Sequence, residues 1–305
     1  MTDKSILQNR KNPFLKSVLT VRKDLVAWVL IAPALIGFIV FNWQPFISSG
    51  ILAFFKTQGF EIKEFVGLKN FKDVLSDSSL SKAMLNSCKY TFWSLLIGLP
   101  IPIILAIMLN ELVHCKGFFR FSVYFPAIIP GMVTAIMWKI LLEPGTDGFL
   151  NVILSYLHLP ASQWLQDARI TIPIITVVTT WSGFGPTTIL YLADLQSVDL
   201  ALYEAAAIDG AGFFKKLRHI TLPHLSSLVR VMAIMQILGV FQSFEKPLAM
   251  TGGGPNEAST TVMMLTYNYM FSNGAMDKAN ALSVIVCLIL IAGSIVYFKM
   301  TKAKE

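Results

Sequence analysis

The run Glu204-Ala-Ala-Ala-Ile-Asp-Gly-Ala211, followed eight residues later by Ile220-Thr-Leu-Pro-His-Leu225, carries the most specific pattern in this chain. Glu204 and the alanines Ala205, Ala206 and Ala207 favour helix, and an acid suits the first turn of one. Asp209-Gly210 reads as a helix end, with Gly210 allowing a tight turn because it lacks a Cβ. Phe213, Phe214 and Leu217 then recur at i, i+1 and i+4, with Lys215, Lys216 and Arg218 between them, which predicts a short amphipathic helix. Pro223 fits the first turn of whatever helix follows. Such a segment has two plain uses: it lies on anionic lipid, or it docks in a groove of a partner protein.

A second group lies within otherwise apolar sequence. Thr179-Thr-Trp-Ser-Gly-Phe-Gly-Pro-Thr-Thr188 is small, polar and helix-breaking. Thr179, Trp181, Ser182 and Gly183 offer hydrogen bonds and one aromatic face. Gln236, Gly239 and Ser243 are spaced three and four apart, so they share one face of a helix. These residues either pack helices closely through small side chains or line a polar cavity, and the two uses are compatible. Catalytic and metal chemistry are not expected. His114, His158, His219 and His224 all lie outside the apolar stretches, and His219 and His224, five apart around a proline, make a poor ligand pair. Cys88, Cys115 and Cys287 are odd in number and widely spaced, which argues against disulfides and zinc. Gly252-Gly-Gly-Pro255 lacks the following Gly-Lys-Ser/Thr of a nucleotide loop.

The elements that must position these groups are membrane spans. Of 305 residues, 54% are hydrophobic and 14% charged, against roughly 25% charged in a soluble domain. The deficit comes from charge-free stretches at 25–55, 90–110, 121–138, 170–193 and 279–298. Each is near or above the ~20 residues that a helical span needs. A weaker sixth, 231–244, reaches that length only if extended through Arg230, which can snorkel. Pro100 and Pro102 in the second stretch, and Pro126 and Pro130 in the third, predict kinked, packed helices. The basic lead before the first stretch resembles a signal, but the apolar run is too long for one, so it is expected to stay as a span.

The expected organisation is a tail at 1–24, one membrane domain at 25–298 containing the motif loop at 194–225, and a second tail at 299–305. Six spans place both termini on one face with the motif loop, and the whole net charge of +7 falls there. By the positive-inside rule that face is cytoplasmic. Nucleic-acid binding is not expected, because no soluble domain remains to carry a basic surface.

The motif resembles the EAA loop of ABC importer permeases: Glu-Ala-Ala, three residues, Gly, then Ile-x-Leu-Pro. It matches at Glu204, Ala205, Ala206, Gly210, Ile220, Leu222 and Pro223. Asp209 and Ala211 are similar to the carbohydrate uptake branch, of the maltose and glycerol-3-phosphate type. That branch often has Phe where this chain has Leu217. Phe65-Val-Gly-Leu-Lys-Asn-Phe71, Gly117-Phe-Phe-Arg120, Leu195-Gln-Ser197 and Thr251-Gly-Gly-Gly-Pro255 resemble other segments of the family. The resemblance implies an all-α integral membrane protein with six transmembrane helices of the type I ABC importer permease fold and a cytoplasmic coupling helix. The shorter six-span form is expected, without additional N-terminal spans.

It further implies a non-enzymatic subunit in a bacterial or archaeal cytoplasmic membrane, forming half of a pathway for a sugar or oligosaccharide. No cofactor is expected on this chain; ATP and Mg would be used by two partner ATPase subunits. A second homologous permease and an extracytoplasmic solute-binding protein complete the implied assembly, which works by alternating access. Glu204, Ala205, Ala206, Asp209, Gly210, Phe214 and Leu217 are the implied ATPase-coupling residues. Thr179, Trp181, Ser182, Gly183, Gln236, Gly239 and Ser243 are the expected substrate path, with Trp181 and Gln236 foremost. Two other readings stay open: an ion-coupled transporter, disfavoured because no acid lies mid-span, and the same permease architecture carrying a non-sugar solute such as glycerol phosphate.

Overall fold

The computed structural model describes residues 13–59 and 61–302. Its first helix, α1 (Pro13–Phe38), passes through a π turn into α2 (Gln44–Leu52). Residues 13–24, expected as part of a tail, are therefore helical; residues 1–12 and 303–305 lie outside the described residues. The part of this rod over Leu25–Leu52 is apolar on every side, and its side chains pack on almost nothing in this chain. It is attached at its far end, where Ser49 Oγ donates to Asn280 Oδ1 at 2.8 Å.

A hairpin follows, β1 (Phe55–Gln58) antiparallel to β2 (Glu61–Phe65), with Phe55 opposite Phe65. The chain is thus mostly helical but not all-α. The family-like stretch Phe65–Phe71 divides between the end of β2 and α3 (Lys69–Leu75), with Gly67 at φ +58° turning between them.

The second span is one bent rod of 34 residues, Ser78–Glu111. It comprises α4 (Ser78–Trp93), a π turn at Ser94–Gly98, and α5 (Pro100–Glu111). Prolines 100 and 102 have no N–H to give to the preceding turn, and the widened turn just before them accommodates this without breaking the rod. The third span is broken outright. α6 (Lys116–Tyr124) and a 3₁₀ turn at Phe125–Ile128 meet α7 (Gly131–Leu141) at 93°, with Pro130 at the break.

A short helix, α8 (Phe149–Tyr156), precedes α9 (Thr171–Leu195), which continues past its internal Pro186. Next come α10 (Leu200–Ile208), α11 (Phe213–Lys216) and α12 (Leu222–Phe241). A π turn joins α11 to α12, so the amphipathic helix read at 213–217 is the start of a single 29-residue rod, Phe213–Phe241. The remainder is α13 (Glu245–Thr251), α14 (Val262–Tyr267) and α15 (Met276–Lys302).

Among the described residues, four helices are long and apolar enough to cross a membrane, and the bent α6–α7 pair makes a fifth. The fourth expected span, α9, has the length but not the composition. Its threonines, serine and glycines dilute its apolar content, yet Ile175, Val178, Tyr191 and Leu192 on it are buried. Much of its surface packs on the chain's own helices, although Val177 and Leu190 stay exposed. One core cluster packs Ile172, Ile175 and Val178 of α9 with Tyr90, Leu165 and Met250; another packs Tyr191, Leu192 and Leu195 with Ala106, Leu109 and Leu225 at the other end.

Candidate functional site

A cavity of about 380 Å³ opens between the second rod, α9 and α12. Each element contributes a stripe at helical spacing: Tyr90, Ser94 and Gly98 from the second rod; Thr176, Thr179, Thr180, Gly183 and Thr187 from α9; Gln236 and Gly239 from α12, continued by Ser243. Among the described residues, no Asp, Glu, Lys, Arg or His lines it. The chemistry on offer is neutral: hydroxyls, one carboxamide, and apolar wall from Phe184, Met232 and Val240.

Gln236 is held in place. Its Nε2 donates to Ser94 O at 3.0 Å and to Ser94 Oγ at 2.7 Å. Gly98 allows this, because a Cβ there would occupy the space of the Gln236 carboxamide and stand 3.2 Å from Thr180 Oγ1. The two glycines of the α9 run do different work. A side chain on Gly183 would meet nothing within 4 Å, and this residue opens onto the cavity. A Cβ on Gly185 would lie 2.8 Å from Val123 O and 2.9 Å from Tyr124 Cα, so Gly185 lets α6 lie against α9. The polar run both packs and lines, on different faces.

Five expected path residues, Thr179, Gly183, Gln236, Gly239 and Ser243, meet at this cavity. Trp181 and Ser182 do not line it. Trp181 stands edge-on to Trp138, ring centres 5.6 Å apart, and Ser182 Oγ turns back to Thr179 O at 3.0 Å. Tyr90, Ser94 and Gly98 were not anticipated, although small and polar residues recurring every fourth position in an apolar stretch mark one helix face.

The motif loop lies at the other end of α9. Asp199 caps α10 by accepting from Ala201 N at 2.9 Å. At the far end of α10, Ala211 N donates to Ala206 O and Gly210 N to Ala207 O, at 2.8 and 3.0 Å, with Gly210 at φ +72°. This is a Schellman closure, and it accounts for the spacing: Ala206 supplies the C3 carbonyl and Gly210 the left-handed C′ position four residues later. The arms are braced by a 3.0 Å bond between Tyr203 Oη and Thr221 Oγ1. His224 Nε2 meets Asp194 O at 3.2 Å and Ser197 Oγ at 3.3 Å, tying the start of α12 to the end of α9.

Glu204, Ala205, Asp209 and Gly210 are exposed and Ala206 is half-buried. Phe214 is 80% exposed and Ile208 87%. Leu217 instead turns inward and lines a hollow with Tyr203, Phe213 and Thr221. The loop is therefore rigid in its backbone and bare on its apolar side, the state expected of a surface that another protein covers.

Residues 98–303 match the family described as binding-protein-dependent transport system inner membrane component. Among characterised proteins, the chain is 28% identical to the arabinooligosaccharides transport system permease protein AraP of Bacillus subtilis, covering 92% of this chain and 89% of that one. It is 30% identical to the multiple sugar-binding transport system permease protein MsmF of Streptococcus mutans, covering 94% and 100%. It is 29% identical to the trehalose/maltose transport system permease protein MalF of Thermococcus litoralis, covering 95% and 98%. Among solved structures, a bacterial ABC transporter that imports the acidic polysaccharide alginate superposes with a TM-score of 0.82 at 25% identity, over 94% of this chain and 99% of that one. By sequence and by fold, this chain belongs to the binding-protein-dependent transport system inner membrane components, the membrane permease subunits of ABC importers.

Proposed function

We propose that this permease forms half of the pathway of an ABC importer for a neutral sugar or oligosaccharide. The cavity carries this reading: three helices line it with hydroxyls and a carboxamide and with no charged group. Uncharged hydroxyls and amides are the partners that sugar hydroxyls need, whereas an ion-coupled carrier would use ionisable groups at this depth. The similar permeases named for arabinooligosaccharides, multiple sugars and trehalose/maltose support the substrate class.

The protein spans the cytoplasmic membrane six times with both termini inside. The crossing beyond the five apolar ones is α9, fourth in chain order, whose polar content is tolerated where protein packs against it. The α10–α11 loop is the coupling element, docking on one of two ATPase subunits that supply ATP hydrolysis and Mg. A second permease supplies the other half of the pathway. A solute-binding protein, as in the alginate transporter solved with its oligosaccharide-bound periplasmic protein, delivers solute from outside.

The test is co-purification from detergent-solubilised membranes. The wild-type chain brings down a second permease and an ATPase. Replacing Ile208 and Phe214 together by Asp removes the ATPase and leaves the second permease. A wild-type chain that purifies alone, with transport indifferent to ATP, would discard this reading.

A further inference from the structure

The segment between α7 and α9 carries a surface that this assembly does not explain. Helix α8 shows two faces. Leu150, Asn151 and Leu154 turn toward the protein; Phe149, Val152, Ile153 and Tyr156, at i, i+3, i+4 and i+7, turn outward with Leu157 beside them. Tyr156 is 79% exposed. No Asp, Glu, Lys or Arg occurs between Asp147 and Asp167.

The inward face is pinned. Asn151 Nδ2 donates to Gly145 O at 2.8 Å and to Ser162 O at 3.0 Å, while its Oδ1 accepts from Ser162 N at 3.0 Å and from Trp164 Nε1 at 2.8 Å. With its amide donating twice and its carbonyl accepting twice, Asn151 locks α8 to the strand of chain that enters α9. There Thr171 Oγ1 bonds Leu165 O at 3.2 Å and Asp167 O at 2.7 Å.

We propose that α8 is a raft lying flat in the headgroup boundary of the leaflet opposite the coupling loop, its exposed stripe in contact with lipid. Three observations select lipid as the occupant. The helix sits between two elements that enter the membrane, so it starts at the boundary. The helix against which it packs, α7, likewise carries exposed apolar side chains, Ile136 and Ile140. The uncharged run gives a protein partner no ion pairs for orientation, whereas an apolar stripe ending in an aromatic side chain suits acyl chains below and headgroups above. The raft has a use in this fold: α9 is the crossing with too little apolar surface to hold its own depth, and Asn151 and Trp164 transmit the depth of α8 to it.

The experiment uses the complete transporter in lipid nanodiscs, with Cys88, Cys115 and Cys287 replaced by Ser and transport verified. Nitroxide labels at Ile153→Cys and Tyr156→Cys are compared with one at Asp147→Cys. The expected result is oxygen accessibility exceeding that of a water-soluble nickel chelate at 153 and 156, at a depth of about 5–10 Å, with the opposite order at 147. Chelate accessibility at 153 and 156 would overturn the proposal in favour of a water-facing helix. Immobile labels reached by neither agent would overturn it in favour of a protein partner. Val152→Cys supplies another position on the stripe if one label disturbs assembly.

Discussion

The two ends of α9 are stabilised in opposite ways. Near its start, the segment from Thr251 to Thr261 is saturated with bonds to this same chain. Asn86 Nδ2 donates to Glu257 O at 2.8 Å and Thr260 O at 3.1 Å; Tyr90 Oη donates to Ser259 O; Ser259 Oγ reaches Gly254 O at 2.7 Å; Lys82 pairs with Glu257 at 2.7 Å. Near its finish, the motif loop owes its shape to the backbone closure at the end of α10 and to the Tyr203–Thr221 brace, and it leaves Ile208 and Phe214 in the open. A frame that satisfies itself needs no partner to hold its form. A loop that is shaped but uncovered leaves apolar surface for something else to cover. The molecule thus separates a stiff end, saturated with its own bonds, from an end whose apolar side chains stay bare.

The sharpest way to break this contrast is Gly210→Val. Gly210 has no neighbour within 4 Å of an added Cβ, so the substitution removes no packing. It does force a β-branched residue to φ +72°, at a cost of about 1–2 kcal/mol. That is roughly a tenfold shift away from the closed turn. The expected outcome is loss of ATPase co-purification and at least a tenfold fall in solute-stimulated ATP hydrolysis, with the melting temperature of the isolated permease unchanged. Gly212→Ala is the control, since Gly212 sits at φ −71° and tolerates a side chain. A Gly210→Val chain that melts early would mean the loop is part of the fold's own stability.

Asn86→Ala tests the other end with the reverse signature. It leaves two carbonyls without their side-chain donor in a largely buried site, an expected loss of about 1–3 kcal/mol. Thermal unfolding in detergent moves down while the ATPase still co-purifies. Loss of the ATPase at temperatures where the chain remains folded would join the two ends and end the comparison.

The same contrast explains what could be read in the sequence. The turn of the motif loop was legible because a Schellman closure is local: Asp209-Gly210 marks the helix end, and Gly210 takes the left-handed position. The helices over 25–52, 78–111 and 276–299 were legible as long apolar runs, and the one ending at Phe241 only as a weaker run, because apolar length is a property of one segment. The fourth expected span, α9, was found as a charge-free stretch, but its burial comes from α5, α6 and α12, which no window on α9 records. Its face was misjudged for a related reason. Thr176, Thr179, Thr180, Gly183 and Thr187 follow the helical period, and Trp181 falls on the other side, against Trp138. The helical period that groups Gln236, Gly239 and Ser243 on one face likewise separates Trp181 from these cavity-lining residues on α9. The spacing of Ser94 and Gly98 marks a helix face, but their partner is Gln236, 142 positions from Ser94.

The smallest expected effect concerns Asp77, which ties the stiff end to α14's continuation. Its carboxylate caps α4 by accepting from Ser79 N at 2.9 Å and takes the Tyr269 hydroxyl at 2.6 Å. The Tyr269 bond foremost, then the Ser79 N–H, hold the carboxyl below its ordinary value. A depressed folded-state value means the ionised form is the one the fold favours. The contribution is therefore complete above the unfolded aspartate value of about 3.9 and disappears as pH falls through the lowered one. The site is mostly solvated, so its worth is well under about 1 kcal/mol. Asp77→Asn should melt slightly earlier than wild type at pH 7, and the two curves should converge as the medium is acidified below about pH 4. Convergence without any change in ATPase co-purification would show that even the titration of the stiff end stays there. A variant that is indistinguishable at both pH values would assign the stiffness to the bonds of Asn86 and Ser259 alone.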